Sequence, residues 1–213
     1  MLKYNAFFLD VDGTLLDSVD TKNRVFIELL FEEGMPRSFS SKIILESIAL
    51  TRTERFKKVW RAYHQVEIPR IILEKLLTLS ETRLLNAEYE PLPGADLFLK
   101  TYESLAHLHI VSSANQIEVI ESFKRLGWVD CFKSIHTGIA NKSVVFNKII
   151  LEFAYPRNKC LSVGDTQMDS NAAVESGIDY WRIEARAKQQ PKIVKNFVGQ
   201  SLDFHPLIIH LKH

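Results

Sequence analysis

The spacing of apolar and polar positions changes character along the chain. Ala6-Phe7-Phe8-Leu9 is a short unbroken apolar run, the pattern of a strand buried on both faces in a parallel sheet. Helical spacing follows. Val25, Phe26, Leu29 and Leu30 predict a helix over Asp20 to Glu33, closed by Gly34 and Pro36. A second covers Ser41 to Ala49, with Ile44, Leu45 and Ile48 on one face. A third runs from Thr53 to Val66 and carries Phe56, Val59, Trp60 and Tyr63 as its core positions. Pro69 opens a fourth, in which Ile72, Leu73, Leu76, Leu77 and Leu84 form the buried stripe.

Beyond the stiff connection Glu90-Pro91-Leu92-Pro93-Gly94 the periods alternate. Helix Ala95 to Leu105 leads to strand His109-Ile110-Val111, which ends in Ser112-Ser113. Helix Gln116 to Leu126, closed by Gly127, is followed by strand Cys131 to Ile135 and a loop holding Gly138 and Lys142. Helix Val144 to Phe153, strand Lys159 to Val163 into Gly164-Asp165, helix Asp169 to Ser176 and strand Tyr180 to Ile183 complete the series. Such alternation predicts an α/β protein with a parallel sheet and right-handed crossovers. The helical block interrupts it, so residues 16–89 read as an inserted all-α domain and residues 1–15 and 90–213 as the α/β core. In the tail from Arg186 to His213, Val194 to Val198 reads as an edge strand and Leu202 to Leu211 as a covering helix.

Composition narrows the class. The 213 residues are 46% hydrophobic and 25% charged, enough to bury a real core. Lys and Arg number 27 against 26 Asp and Glu, so no basic excess points to nucleic acid or an anionic membrane as partner. Cys131 and Cys160 sit beside apolar residues and read as two buried free thiols in a reducing compartment. The chain is already strand by Ala6, no apolar run approaches the ~18 residues of a membrane span, and a cytoplasmic protein is expected, as monomer or homodimer.

The chemistry begins where the first strand ends. Asp10 and Asp12 are one residue apart, so in extended chain their side chains point the same way, and Gly13 then permits a sharp turn. Two carboxylates at the carboxyl end of a buried strand repel each other; a cation or a shared proton is expected there, at the sheet edge where α/β proteins bind ligands. Other strand ends supply polar partners: Ser112, Lys142, and Asp165 with Asp169. Ser112 or Ser113 can alternatively cap a helix, and Asp169 can cap its own. In the helical block, Arg52, Arg55, Lys57, Lys58 and Arg61 read first as a solvated face. His64, His107 and His109 read as packing or surface residues, since the histidines show no metal-ligand spacing.

Asp10-Val11-Asp12-Gly13-Thr14, Ile110-Val111-Ser112, Lys142 and Gly164-Asp165-Thr166-Gln167-Met168-Asp169 resemble, in order and spacing, the four motifs of the haloacid dehalogenase-like superfamily. Pro91-Leu92-Pro93-Gly94 is similar to the linker that follows a helical cap in that family, although Ser143 stands where a proline usually follows the motif lysine. The resemblance implies a Rossmann-like core with an all-α cap closing over the site. It implies Mg²⁺ held by Asp10, Asp165 and the backbone carbonyl of Asp12, with Asp169 holding metal-bound water. It further implies Asp10 as nucleophile, Asp12 as general acid and base, and Ser112 and Lys142 as phosphoryl ligands, with Ser113 beside them. Among the charges of the helical block, Arg52 or Arg55 is the candidate to reach a second anionic group of the substrate. The implied activity is a phosphatase for a small phosphorylated metabolite such as phosphoglycolate, a sugar phosphate, a nucleoside monophosphate or pyrophosphate. A phosphomutase of the β-phosphoglucomutase type is the alternative, and a silent binding protein a third reading, disfavoured because all four motifs are intact. Asp12 argues against dehalogenase chemistry, which lacks that second acid.

Overall fold

Adjacent residues of the first apolar run serve opposite faces of one sheet. In the computed structural model, which describes residues 2–47, 50–184 and 194–212, β1 (Ala6–Leu9) places Phe7 against Phe98 and Tyr102, with ring centroids 5.3 and 5.6 Å apart. Phe8 goes the other way, against Phe146 at 4.7 Å and His109 at 5.6 Å. Both faces are therefore packed, and the strand has no position left for a polar residue. The chain divides into two compact units, Met1–Asp17 with Tyr89–His213, and Ser18–Glu88.

Among its described residues the second unit carries helices and no strand: α1 (Val19–Glu32), α2 (Arg37–Leu45), α3 (Arg52–His64) and α4 (Arg70–Leu85). Phe26, Leu29 and Leu30 of α1 pack with Ile44, Phe56, Trp60, Leu76 and Leu84 in one core. The helix expected over Ser41 to Ala49 starts earlier, because Phe39 and Ser40 donate to the Pro36 carbonyl and Pro36 serves as its N-cap. Ile48 and Ala49 lie outside the described residues. At α3, Thr51 and Glu54 form a reciprocal capping box, and Gln65 ends the helix in the left-handed region at φ 60°. Tyr63, expected in the core, is exposed and lies edge-on to Phe39, while Trp60 is buried.

The first unit carries a six-stranded parallel sheet in the order β3-β2-β1-β4-β5-β6: β2 (His107–Val111), β3 (Ser134–His136), β4 (Cys160–Gly164), β5 (Asp179–Ile183) and β6 (Phe197–Ser201) join β1. The helices that serve it are α5 (Ala95–Tyr102), α6 (Gln116–Leu126), α7 (Lys142–Glu152), α8 (Gln167–Ser176) and α9 (Phe204–Lys212). One face of the sheet buries Ala6, Phe8 and Tyr180 with Phe146, Ile149 and Ala173; on the other, Phe7 meets Phe98, which packs on Phe204. β1 thus lies between β2 and β4, and the residues following these three strands converge at one edge.

Two strands fall later than their sequence patterns predict. Cys131 belongs to a 3-10 turn, Val129–Cys131, and β3 begins only at Ser134, because Phe132 stacks on Phe123 of α6 at 4.9 Å and leaves the sheet. The edge strand expected at Val194 to Val198 is Phe197–Ser201 instead; its Gly199 lies under the Trp181 ring, where an added Cβ would sit 2.3 Å from a ring carbon. The tail from Arg186 up to residue 193 lies outside the described residues. Both cysteines are free, Cys160 buried and Cys131 only half-buried. No helix among the described residues is long and apolar enough to cross a membrane.

His109 is a polar residue buried in this core. It is fully buried between the Ser134 hydroxyl, 2.8 Å from Nδ1, and the Tyr155 hydroxyl, 3.1 Å from Nε2. Burial, with His107, His136 and Lys133 nearby, pushes its pKa from 6.5 down to about 3. The unfolded chain therefore binds a proton below pH 6.5 that the folded chain refuses, so folding stability falls as pH drops from 6.5 toward 3. The expected slope from this one group is about 1.4 kcal/mol per pH unit within that window. Urea titrations at a series of pH values check it: His109→Gln should lose that part of the slope, and an unchanged slope refutes the assignment.

Candidate active site

β1 ends at Leu9, and the amide of Asp10 continues the sheet ladder by donating to Val163 at 3.0 Å. The chain then closes a tight turn: Thr14, Leu15 and Leu16 all donate to the Val11 carbonyl, and Gly13 adopts φ 76°, which favours glycine. Asp12 is half-buried, and its backbone pairs with Leu16. The named strand ends at Leu9, so Asp10 and Asp12 stand at its carboxyl end, Asp10 still on the ladder and Asp12 at a bridge.

Four charged groups meet below this turn. Oxygens of Asp10, Asp165 and Asp169 lie within 4.8 Å of one another. The Lys142 ammonium stands between them, 2.9 Å from Asp10 Oδ1 and 2.6 Å from Asp169 Oδ1. All four residues are buried, none more than 8% exposed. Lys142, expected in a loop, is the first residue of α7, and Asn141 is the N-cap. Asp169 caps its helix, as one expectation had it, and also pairs with Lys142. Its Oδ2 accepts from the Thr166 amide at 3.0 Å and the Thr166 hydroxyl at 2.5 Å in a capping box, while Oδ1 meets Lys142. Gly164 makes this approach possible, since a Cβ there would lie 2.3 Å from Asp169 Cγ. The Thr14 hydroxyl donates to Asp165 Oδ1 at 3.4 Å, and the Tyr180 hydroxyl donates to the Gly164 carbonyl at 3.0 Å.

Ser112 is buried at the end of β2, where its Oγ accepts from the Ala114 amide at 3.2 Å. Neither Ser112 nor Ser113 caps α6. Asn115 does, accepting from Ile117 and Glu118, and Ser113 is exposed. The loop before α7 is laced to this one through Ile139 donating to Ser112 and Gly138 to Ala114. In the helical unit Arg55 does not form part of a solvated face. Its Nε donates to the Ser47 and Leu50 carbonyls and its Nη1 to Asn23 Oδ1. Arg52, the first residue of α3, has its guanidinium 5.6 Å from the centre of the Phe26 ring.

Electrostatics separate the members of the cluster. Burial raises the Asp10 pKa; Lys142 opposes that shift and Asp169 adds to it. Asp165 is pushed well above the usual carboxylate range by burial and by the charges of Asp10 and Asp169. Burial alone would lower the Lys142 pKa, but its two carboxylate partners raise it overall, so it stays an ammonium. Among the described residues, the three carboxylates outnumber the Lys142 ammonium that they face. Asp10 Oδ1 is also a buried atom with no hydrogen bond of good geometry among the described residues, although the Lys142 ammonium lies 2.9 Å away. Hard oxygen donors, clustered, buried and over-negative, fit a Mg²⁺ ion held by Asp10 and Asp165 with Asp169 near it.

Thr14, Gly164 and Thr166 lie within the motifs and Tyr180 opens a strand, but the sequence assigns no role in the site to these four or to Asn141. Only Thr166 carried a local signal, the three-residue spacing to Asp169 that a capping box requires.

A family model described as haloacid dehalogenase-like hydrolase matches residues 7–183. The chain belongs to this family. No curated protein matches the sequence, so relatives are seen through structure. A predicted phosphoglycolate phosphatase from Haemophilus somnus 129PT superposes with TM-score 0.80 at 16% identity, over 99% of this chain and 99% of that one. CbbY from Rhodobacter sphaeroides, in complex with phosphate, gives 0.75 at 16% identity over all of both chains. The putative HAD-hydrolase YfnB from Bacillus subtilis, bound to magnesium, gives 0.72 at 19% identity over 99% of this chain and all of that one. At these identities the structures establish the shared fold. The family match and the fold place this chain among the haloacid dehalogenase-like hydrolases, with the Rossmann-like parallel sheet that the motifs imply.

Proposed function

We propose that this hydrolase is a Mg²⁺-dependent phosphatase acting on a small phosphorylated metabolite through an aspartyl-phosphate on Asp10. The observation that carries the reading is the buried Lys142 ammonium bridging Asp10 and Asp169 beside Asp165. A carboxylate that attacks a phosphate dianion meets like-charge repulsion of about 4 kcal/mol per unit pair at ~4 Å and an effective dielectric of ~20. Fixed positive charge at the attacking oxygen offsets it.

Asp10 attacks phosphorus, and the bond from phosphorus to the leaving oxygen breaks as the new bond forms. Asp12 gives that oxygen its proton. It then takes a proton from the water that attacks the acyl-phosphate, which frees Asp10 and releases inorganic phosphate. The Ser112 hydroxyl and the Lys142 ammonium bind the transferring oxygens, with Ser113 at the mouth of the loop. Arg52 is assigned to a second anionic group of the substrate. When bound by Asp10, Asp165 and the Asp12 carbonyl, Mg²⁺ supplies charge neutralisation and orients the phosphoryl group. We place the reaction in the cytoplasm.

The test is p-nitrophenyl phosphate hydrolysis with Mg²⁺ and after chelation. Turnover should appear with the metal and disappear in excess EDTA; metal-independent or absent turnover overturns the reading. A phosphomutase is the second reading, favoured by the fold shared with a putative β-phosphoglucomutase from Thermotoga maritima at TM-score 0.74 and 15% identity, over 98% of this chain and 98% of that one. Trapping the phospho-enzyme and asking whether water or a sugar phosphate accepts the group separates them.

A further inference from the structure

Lys142 enters α7 without the proline that would stiffen such an entry, because Ser143 follows it. It is the first helical residue, with no preceding turn to hold its backbone. Its ammonium nevertheless has to stay within 2.9 Å of Asp10 and 2.6 Å of Asp169 at the end of a four-carbon stem.

Asn141 supplies the missing constraint. From an extended backbone at φ −124° and ψ 98°, its Oδ1 accepts three hydrogen bonds. The Ser143 amide donates at 3.1 Å, the Ser143 hydroxyl at 2.8 Å and the Val144 amide at 3.4 Å. Lys142 is clamped between a residue that accepts these bonds and the two that donate them. Downstream, Asn147 donates to the Ser143 carbonyl at 2.9 Å and accepts from Arg157 at 2.8 Å, so the far side of the first turn is also tied.

An ordinary N-cap stabilises a helix and nothing more. Here the first helical residue is the ammonium of the site, so fraying of one turn moves that charge away from the carboxylates. We infer that Asn141 is a positioning residue, which holds Lys142 at Asp10 and Asp169 by capping α7 immediately before it. Its effect on turnover rests on the phosphatase reading; its effect on the placement of Lys142 does not.

Acetic anhydride labelling read by peptide mass spectrometry tests the placement, with exposed Lys148 on the same helix as internal reference. Asn141→Ala should raise labelling of Lys142 relative to Lys148 by about fivefold, and Asn141→Asp, which keeps an acceptor, should leave it near wild type. Unchanged labelling of Lys142 in Asn141→Ala overturns the inference. In turnover, Asn141→Ala should lower kcat about fivefold. In a Lys142→Met background the same substitution should cost nothing further, since the group it acts through is gone. A full fivefold loss in that background shows that Asn141 acts through the helix in general and also overturns it. If the wild-type chain hydrolyses no phosphate ester, the phosphatase reading fails while the labelling still decides the placement.

Discussion

Asp10→Asn is expected to abolish Mg²⁺-dependent phosphate ester hydrolysis while leaving the protein folded and at least as stable. The amide keeps the shape of the carboxylate but cannot form the acyl-phosphate, and loss of a covalent nucleophile costs about 10⁴-fold or more in turnover. Stability moves the other way. Asp10 is one of three buried carboxylates, and burial together with Asp169 raises its pKa, so its charged form is unwelcome in the fold. Removing that charge relieves Asp165, whose own pKa is raised partly by Asp10. Lys142 keeps Asp169 at 2.6 Å as partner and is not stranded. Steady-state kinetics paired with thermal melts in the same buffer read both effects. Retained turnover rules out Asp10 as nucleophile, and a lost melting transition means that the residue is structural.

Lys142→Met should have the largest effect on stability. Methionine keeps the unbranched length of lysine but removes the ammonium, which leaves Asp10, Asp165 and Asp169 facing one another in a buried site. Breaking a buried ion pair by deleting one partner costs about 3–5 kcal/mol. For a chain of this size that is a fall in melting temperature on the order of 10 °C. The pH dependence has a definite sign. Carboxyls whose folded pKa is raised weaken the fold as pH rises through that pKa, and the variant raises them further. The deficit should therefore be large at about pH 7.5, smaller at about pH 5, and smaller again when Mg²⁺ supplies the missing charge. Melts at both pH values, with and without Mg²⁺, measure it. A deficit of equal size under all four conditions means that packing and not charge compensation is what Lys142 contributes.

The candidate site was legible in outline because the chemistry restricts residue types at strand ends. Two carboxylates beside a glycine, after an apolar run, have few structural uses, and the later strand ends supplied Lys142, Asp165 and Asp169 in order. What periodicity could not supply was the local backbone. Lys142 is helical because Asn141 caps α7, a contact that depends on the loop arriving in extended conformation. Ser112 was separable from a helix cap only once Asn115 was found in that place. Cys131 and Phe132 looked like strand because they are apolar, but Phe132 is apolar in order to stack on Phe123.

The sequence by itself determined the alternation of strand and helix in the core, the block of four helices that interrupts it, and the residue types at each strand end. Those follow from local periodicity and from chemistry that few residues perform. Tertiary structure alone decided that Asp10, Asp165 and Asp169 share one buried space with the Lys142 ammonium, and that Gly164 must lack a side chain for Asp169 to reach it. These are distances between residues far apart in the chain. They depend on the parallel order β2-β1-β4, which brings the ends of separate strands together at one edge.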